Sequence, residues 1–172
     1  MTDVKRAGTL SAQNPIHRNS WTVRIMFQHI LVPVDGSPTA RHAAETATTL
    51  ANEIKAKITV IHVVHMYPYT GFGTGFADGQ SVYLSAATAT ANEAIADVRE
   101  KITSAGVSVE ARVVESNVVW RGIVETAQSV GADLIVMGTH GRNKIDRLLL
   151  GSVTQRVLSH ATVPVMVTHG EE

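Results

Sequence analysis

The segment Ala132-Asp133-Leu134-Ile135-Val136-Met137 runs directly into Gly138-Thr139-His140-Gly141, and nine residues further on comes Gly151-Ser152. An unbroken apolar run of strand length marks a parallel strand buried on both faces. A glycine-punctuated turn at the carboxyl end of such a strand is where open α/β sheets take their ligands. Glycine lets main-chain N–H groups turn inward with no Cβ in the way, and a helix start adds unpaired donors and the positive end of a dipole. The stretch therefore predicts an anion site of phosphate size.

Strand-like and helix-like segments alternate on either side of it. Phe27 to Val34, Ile58 to Val64, Val107 to Val114, Leu134 to Met137 and Val163 to Val167 read as five strands. Between them, Ser37-Pro38 gives a cap and a first helical position, with Ala40, Ala43, Ala47, Ala51 and Ile54 along one face. Leu84, Ala87, Ala91, Ile95, Val98 and Ile102 repeat at helical spacing until Gly106, and Val119, Ile123, Ala127 and Val130 do so until Gly131. A last helix covers Val153 to Ser159. Alternation of this kind predicts an α/β domain: an open, mostly parallel five-stranded sheet, Rossmann-like, with helices on both faces. Right-handed crossovers favour the order 3-2-1-4-5, which sets Asp35-Gly36-Ser37 across a crevice from the glycines after strand four. An acid facing an anion cradle suits a nucleotide.

Two common nucleotide signatures are absent: neither G-x-x-x-x-G-K-[ST] nor a G-x-G-x-x-G after strand one occurs. Ser152 and Gln155 form an S-x-x-Q capping box, which predicts Ser152 as the cap of helix four and leaves the main-chain donors near Gly151 and Val153 as the safer phosphate ligands. Gly138-x-x-Gly141, a nine-residue spacer of Arg142 to Leu150 and then Gly151-Ser152 together form a specific pattern, joined by I-L-V-P-V-D-G-S from Ile30, V-I-H-V from Val60 and V-P-V-M-V from Val163. On these motifs the chain resembles the nucleotide-binding type of the universal stress protein A family, over Met26 to about Thr168.

The resemblance implies that Pro33, Val34 and Asp35 contact the adenine and ribose end, and that main-chain groups of Val63 read the adenine edge. It sets Met137 and Gly138 beside base and sugar, and His140, Gly141, Gly151, Ser152 and Val153 around the phosphates. The implied ligand is ATP, AMP or ADP, with magnesium or manganese held mainly by the phosphates. It implies a homodimer through strand five and a stress-response role exercised through a regulatory protein partner. A slow ATP hydrolase, or a structural adaptor without nucleotide, is the alternative. No catalytic and no metal-ligating residue is assigned. Only Arg142, Lys144 and Arg147 supply positive charge within the spacer, and phosphoryl transfer needs charge held in position.

Composition agrees with one domain. The 172 residues carry 15 basic and 15 acidic side chains, which asks for no nucleic-acid partner, and no cysteine, which excludes thiolate chemistry. Apolar runs are too short for membrane insertion, and a cytoplasmic location is expected. Residues 1–25 have a net charge of +3, from Lys5, Arg6, Arg18 and Arg24 against Asp3, and no periodic apolar face. They read as a disordered extension ahead of a domain at 26–169, with 170–172 a tail. His62 and His65 are three apart on a strand and so point to opposite faces, which argues against a shared metal. Tyr67 to Tyr83, with Gly71, Gly73, Gly75 and Gly79, reads as a 17-residue loop rather than a helix, either a flap whose Phe72 and Phe76 close over a ligand or a partner subunit or a floppy crossover with two incidental aromatics.

Overall fold

Four parallel strand pairings build the sheet in the order β3-β2-β1-β4-β5. The computed structural model describes residues 27–66, 74–139 and 150–170, those from 74 to 81 by backbone alone. The elements are β1 (His29–Pro33), α1 (Pro38–Ile54), β2 (Lys57–His65), α2 (Thr74–Ser104), β3 (Val109–Ser116), α3 (Val119–Val130), β4 (Leu134–Gly138), α4 (Ser152–His160) and β5 (Val165–Thr168). The expected architecture and strand order are those found, and the sheet is parallel throughout.

Alternation along the central strands divides the core into two layers. Ile30, Val32, Ile58 and Val60 pack against the alanine face of α1 and against Ile95, Val98 and Ile102 of α2. Leu31, Ile61, Ile135 and Met137 pack against Ile123 and Ala127 of α3 and Val157 of α4. Burying both faces of β1 and β4 leaves their side chains almost no contact with water, so apart from His29 at the start of β1 the strands carry no polar side chain.

The helix boundaries follow local chemistry. The Ser37 hydroxyl accepts from Ala40 N at 3.2 Å and Pro38 opens α1, as expected. Gly106 and Gly131 follow α2 and α3 with φ of +78° and +68°, the left-handed turn that releases the chain back toward the sheet. Lys55 ends α1 in the same region, at φ 59°, where no glycine marks the stop.

One expectation is corrected. Residues 74–83 are the first turns of α2 and not loop; Tyr67 to Gly73, including Phe72, lie outside the described residues, as does the Phe76 side chain. Gly75 and Gly79 each cost a helix about 1 kcal/mol relative to alanine, but propagation from a long alanine-rich helix adds one hydrogen bond per residue and absorbs that cost. Strand ends also shift. β3 and β5 begin two residues later than the pattern suggests, β5 because Pro164 precedes its first paired residue.

At the amino-terminal end of the sheet, Asp133 ties β4 to β1. Its carboxylate accepts from Gln28 N at 2.8 Å and His29 N at 3.0 Å, while its own N–H donates to His29 O. The His29 ring is 4% exposed and shares a 2.7 Å hydrogen bond between Nε2 and the Thr59 hydroxyl. Burial, reinforced by the Lys57 charge, holds its pKa below the usual 6.5. Below pH 6.5 the unfolded chain thus binds a proton that the folded protein resists, so this contribution is complete above 6.5 and lost as pH falls toward the folded pKa. Urea unfolding of the wild type between pH 7.5 and 5.5 should show stability falling with pH, and a His29→Gln variant should have a flatter slope. An unchanged slope would refute the assignment.

Candidate functional site

The chain leaves β1 for α1 on one side of the sheet, while α3 crosses on the other face to bring β4 in beside β1. Connections that part in this way leave a crevice at the carboxyl ends of the two strands. A cavity of about 630 Å³ occupies it, within the range that holds small ligands. Nine of the eleven residues named from the sequence line it together: Pro33, Val34, Asp35, Val63, Met137, Gly138, Gly151, Ser152 and Val153. His140 and Gly141 lie outside the described residues.

The wall from β2 follows from its length. The last rung between β1 and β2 is Val34 N to Ile61 O at 2.8 Å, and β2 continues for four more residues, to His65. In a parallel strand the N–H and C=O of one residue point to the same side, and sides alternate. Lys57 donates to Gln28 beside β1, whereas Ile58 and Met66 donate toward β3. Val63 shares the parity of Lys57, so both its main-chain groups face the β1 side, beyond the point where β1 ends. A donor and an acceptor side by side can read the edge of a planar heterocycle.

Opposite stands the turn after β1. Asp35 Oδ1 accepts from Ser37 N at 3.0 Å, which folds the carboxylate back over the start of α1, and Gly36 takes φ +82° to complete the turn. The floor is Gly138. A Cβ there would come within 2.9 Å of the Thr39 main-chain carbon and 3.0 Å of its oxygen, so glycine is what lets α1 pack onto the end of β4.

The amino terminus of α4 closes the far end, and here two expectations are corrected. Ser152 is the first helical residue, not the cap; Gly151 is the cap, with no side-chain capping bond, and its carbonyl takes the first helical bond from Gln155 N at 2.9 Å. Glycine is accepted at this position, and the Ser152 hydroxyl is not spent on its own helix. Gly151 N donates to Thr139 O at 2.8 Å, so it is not among the donors open to an anion. Helix geometry instead leaves the N–H groups of Ser152, Val153 and Thr154 without an acceptor in the preceding turn.

Thr154 was not singled out from the sequence. Its buried hydroxyl reaches the Gly138 carbonyl at 3.0 Å and the Thr139 carbonyl at 3.3 Å, pinning the first turn of α4 to the end of β4. The sequence signal lay in the pattern G-S-x-T, a hydroxyl one turn into a helix that must meet a strand end. His62 and His65 also line the crevice. They do lie on opposite faces of β2, but the crevice opens across the end of the sheet and receives side chains from both. Tyr83, Ala86, Ala87 and Thr90 of α2 complete the wall. Among the described residues, no group of three or more His, Asp or Glu side chains is placed to hold a metal ion.

The family model described as the universal stress protein family matches residues 26–169. A universal stress protein of Methanocaldococcus jannaschii is 36% identical over 143 residues, which cover 83% of this chain and 82% of that protein. The structure superposes on universal stress protein UspA of Lactobacillus plantarum with a TM-score of 0.72 at 27% identity, covering 81% of this chain and 96% of that one. A universal stress protein of Archaeoglobus fulgidus solved in complex with dAMP shares the fold, with a TM-score of 0.60 at 22% identity over 83% of this chain and 98% of that chain.

Proposed function

The chain belongs to the universal stress protein family, and from that premise we propose that it is a stress-response regulator that binds an adenine nucleotide, ATP foremost, between the ends of β1 and β4. The observation that carries the reading is the outward-turned pair of main-chain groups at Val63, which can match the donor and acceptor on the edge of adenine and would meet the wrong partners on guanine. Asp35 stands where a ribose hydroxyl would donate to it, and the first turn of α4 offers its N–H groups to phosphate. The donor set fits a nucleotide held through main-chain groups, with a divalent cation such as magnesium or manganese riding on the phosphates. The relative solved with dAMP is in keeping with this ligand class. We place the protein in the cytoplasm, where adenine nucleotides are abundant, acting on a regulatory protein partner. Mass spectrometry of small molecules released from the purified, denatured protein should find an adenine nucleotide. Calorimetry of the emptied protein should show micromolar binding of ATP and weaker binding of GTP. No heat with ATP, or equal affinity for GTP, would refute the reading.

We also propose that the protein is a homodimer through β5. Both β3 and β5 are sheet edges, but β3 exposes Glu110, Arg112 and Glu115, which guard against pairing. On β5, Ile135 N donates to Pro164 O, so Pro164 and Met166 turn their main-chain groups to β4 while those of Val165 and Val167 point outward. The N–H that proline lacks is therefore on the inner side and does not interrupt the free edge. Val167→Pro removes an outward donor at a place where an edge strand tolerates proline. Light scattering at tens of micromolar, roughly the range for a moderate interface, should find the wild type dimeric and this variant monomeric. A monomeric wild type, or a dimeric variant, would exclude the interface.

A further inference from the structure

α2 has 31 residues, about 46 Å of helix at 1.5 Å per residue, whereas β2, the strand it lies against, has nine and spans about 30 Å. Its lower half is anchored: Ala91, Ile95, Val98 and Ile102 are between 0% and 6% exposed. Residues 82–90, above it, are less enclosed. No residue from 82 to 90 is buried, and Val82 is 68% exposed. Yet the buried stripe continues upward in register. Ala87, four residues before Ala91, carries that stripe upward, and with Tyr83 and Thr90 beside it borders the open volume of the crevice. Where the lower half packs on the side chains of β2 and β3, residues 83–90 border a cavity.

We propose that the bound nucleotide is the missing packing partner of this half-helix, so that occupancy is transmitted to the protein surface as the docking of residues 82–90. The proposal rests on the nucleotide reading above and adds to it the element that responds. Alanine at 87 keeps the gap wide enough for a flat ring to enter. This stretch is held by propagation from the anchored half, at one hydrogen bond per residue, so packing gained from what fills the gap adds to a small margin. The ligand gains a wall and the helix gains a core. The outward face of residues 82–90 then changes from a fraying surface to a fixed one, which a protein partner can distinguish.

Hydrogen exchange on the full chain, with and without ATP, reads this directly. Amides 82–90 should slow by about tenfold or more on ATP binding, while those of the anchored lower half change little. Ala87→Leu places an apolar side chain into the crevice. It should weaken ATP binding by about tenfold or more and, without nucleotide, slow exchange at the flanking amides as the ligand does. Ala89→Leu, on the exposed side of the same turn, should do neither. ATP binding that leaves exchange at 82–90 unchanged would overturn the inference and spare the nucleotide reading, as would wild-type affinity in Ala87→Leu. A wild type that binds no ATP would overturn both.

Discussion

Gly138→Val should destabilise the protein by about 3 kcal/mol, lowering the melting temperature by roughly 10 °C for a domain of this size. The glycine carries no special backbone angle. Its role is proximity, since a Cβ would meet the main-chain carbon and oxygen of Thr39 at 2.9 and 3.0 Å. Those atoms belong to the first turn of α1, which Ser37 caps and Pro38 fixes, so the helix has to move as a body. Two further variants check the cause. Gly138→Ala should already cost about 1–3 kcal/mol. Thr39→Ala should not rescue either substitution, because trimming the side chain leaves the opposing backbone in place. Thermal melts showing wild-type stability for Gly138→Val would mean that α1 does not rest on β4 in this way.

Asp35→Ala should weaken adenine-nucleotide binding by about 10- to 100-fold, as expected from a lost charge-assisted hydrogen bond of about 1.5–3 kcal/mol. The aspartate has two tasks. One oxygen accepts from Ser37 N within the turn, and the carboxylate as a whole faces the crevice. Asp35→Asn keeps an acceptor for the turn and removes the charge, so it should fold like the wild type and still bind less tightly. Calorimetry with ATP and with adenine alone separates the roles: the loss should be seen with ATP and be absent with the base, which has no ribose to donate. Equal loss with both ligands would place Asp35 at the base instead.

The candidate site was legible in outline because its parts are sequence-local. Pro33 to Asp35 end one strand, Met137 and Gly138 end another, and Gly151 to Val153 open a helix; each is recognisable by composition within its own segment. What joined them was the strand order, which the crossover rule restricts to few choices. The capping arrangement was misread for a related reason. Ser152 and Gln155 satisfy a local rule, but the carbonyls of Gly138 and Thr139 compete for this turn from a distant part of the chain and bind Thr154 and Gly151 instead. The glycines at 75 and 79 misled in the opposite direction, since a local penalty was outweighed by the helix that continues beyond them.

By itself, then, the sequence determined the elements, the two-faced burial of β1 and β4 and the segments that form the crevice, because periodicity and glycine placement act over a few residues and report burial directly. Only the tertiary structure decided which groups are open to a ligand. That β2 outruns β1, turning the main chain of Val63 outward, that Gly151 N is already taken by Thr139 O and that residues 83–90 of α2 border a cavity are matters of relative length and register between segments far apart in the chain. No local pattern encodes them: a main-chain group is available only where its neighbouring strand has stopped, and where a strand stops relative to its neighbour is fixed by packing across the whole sheet.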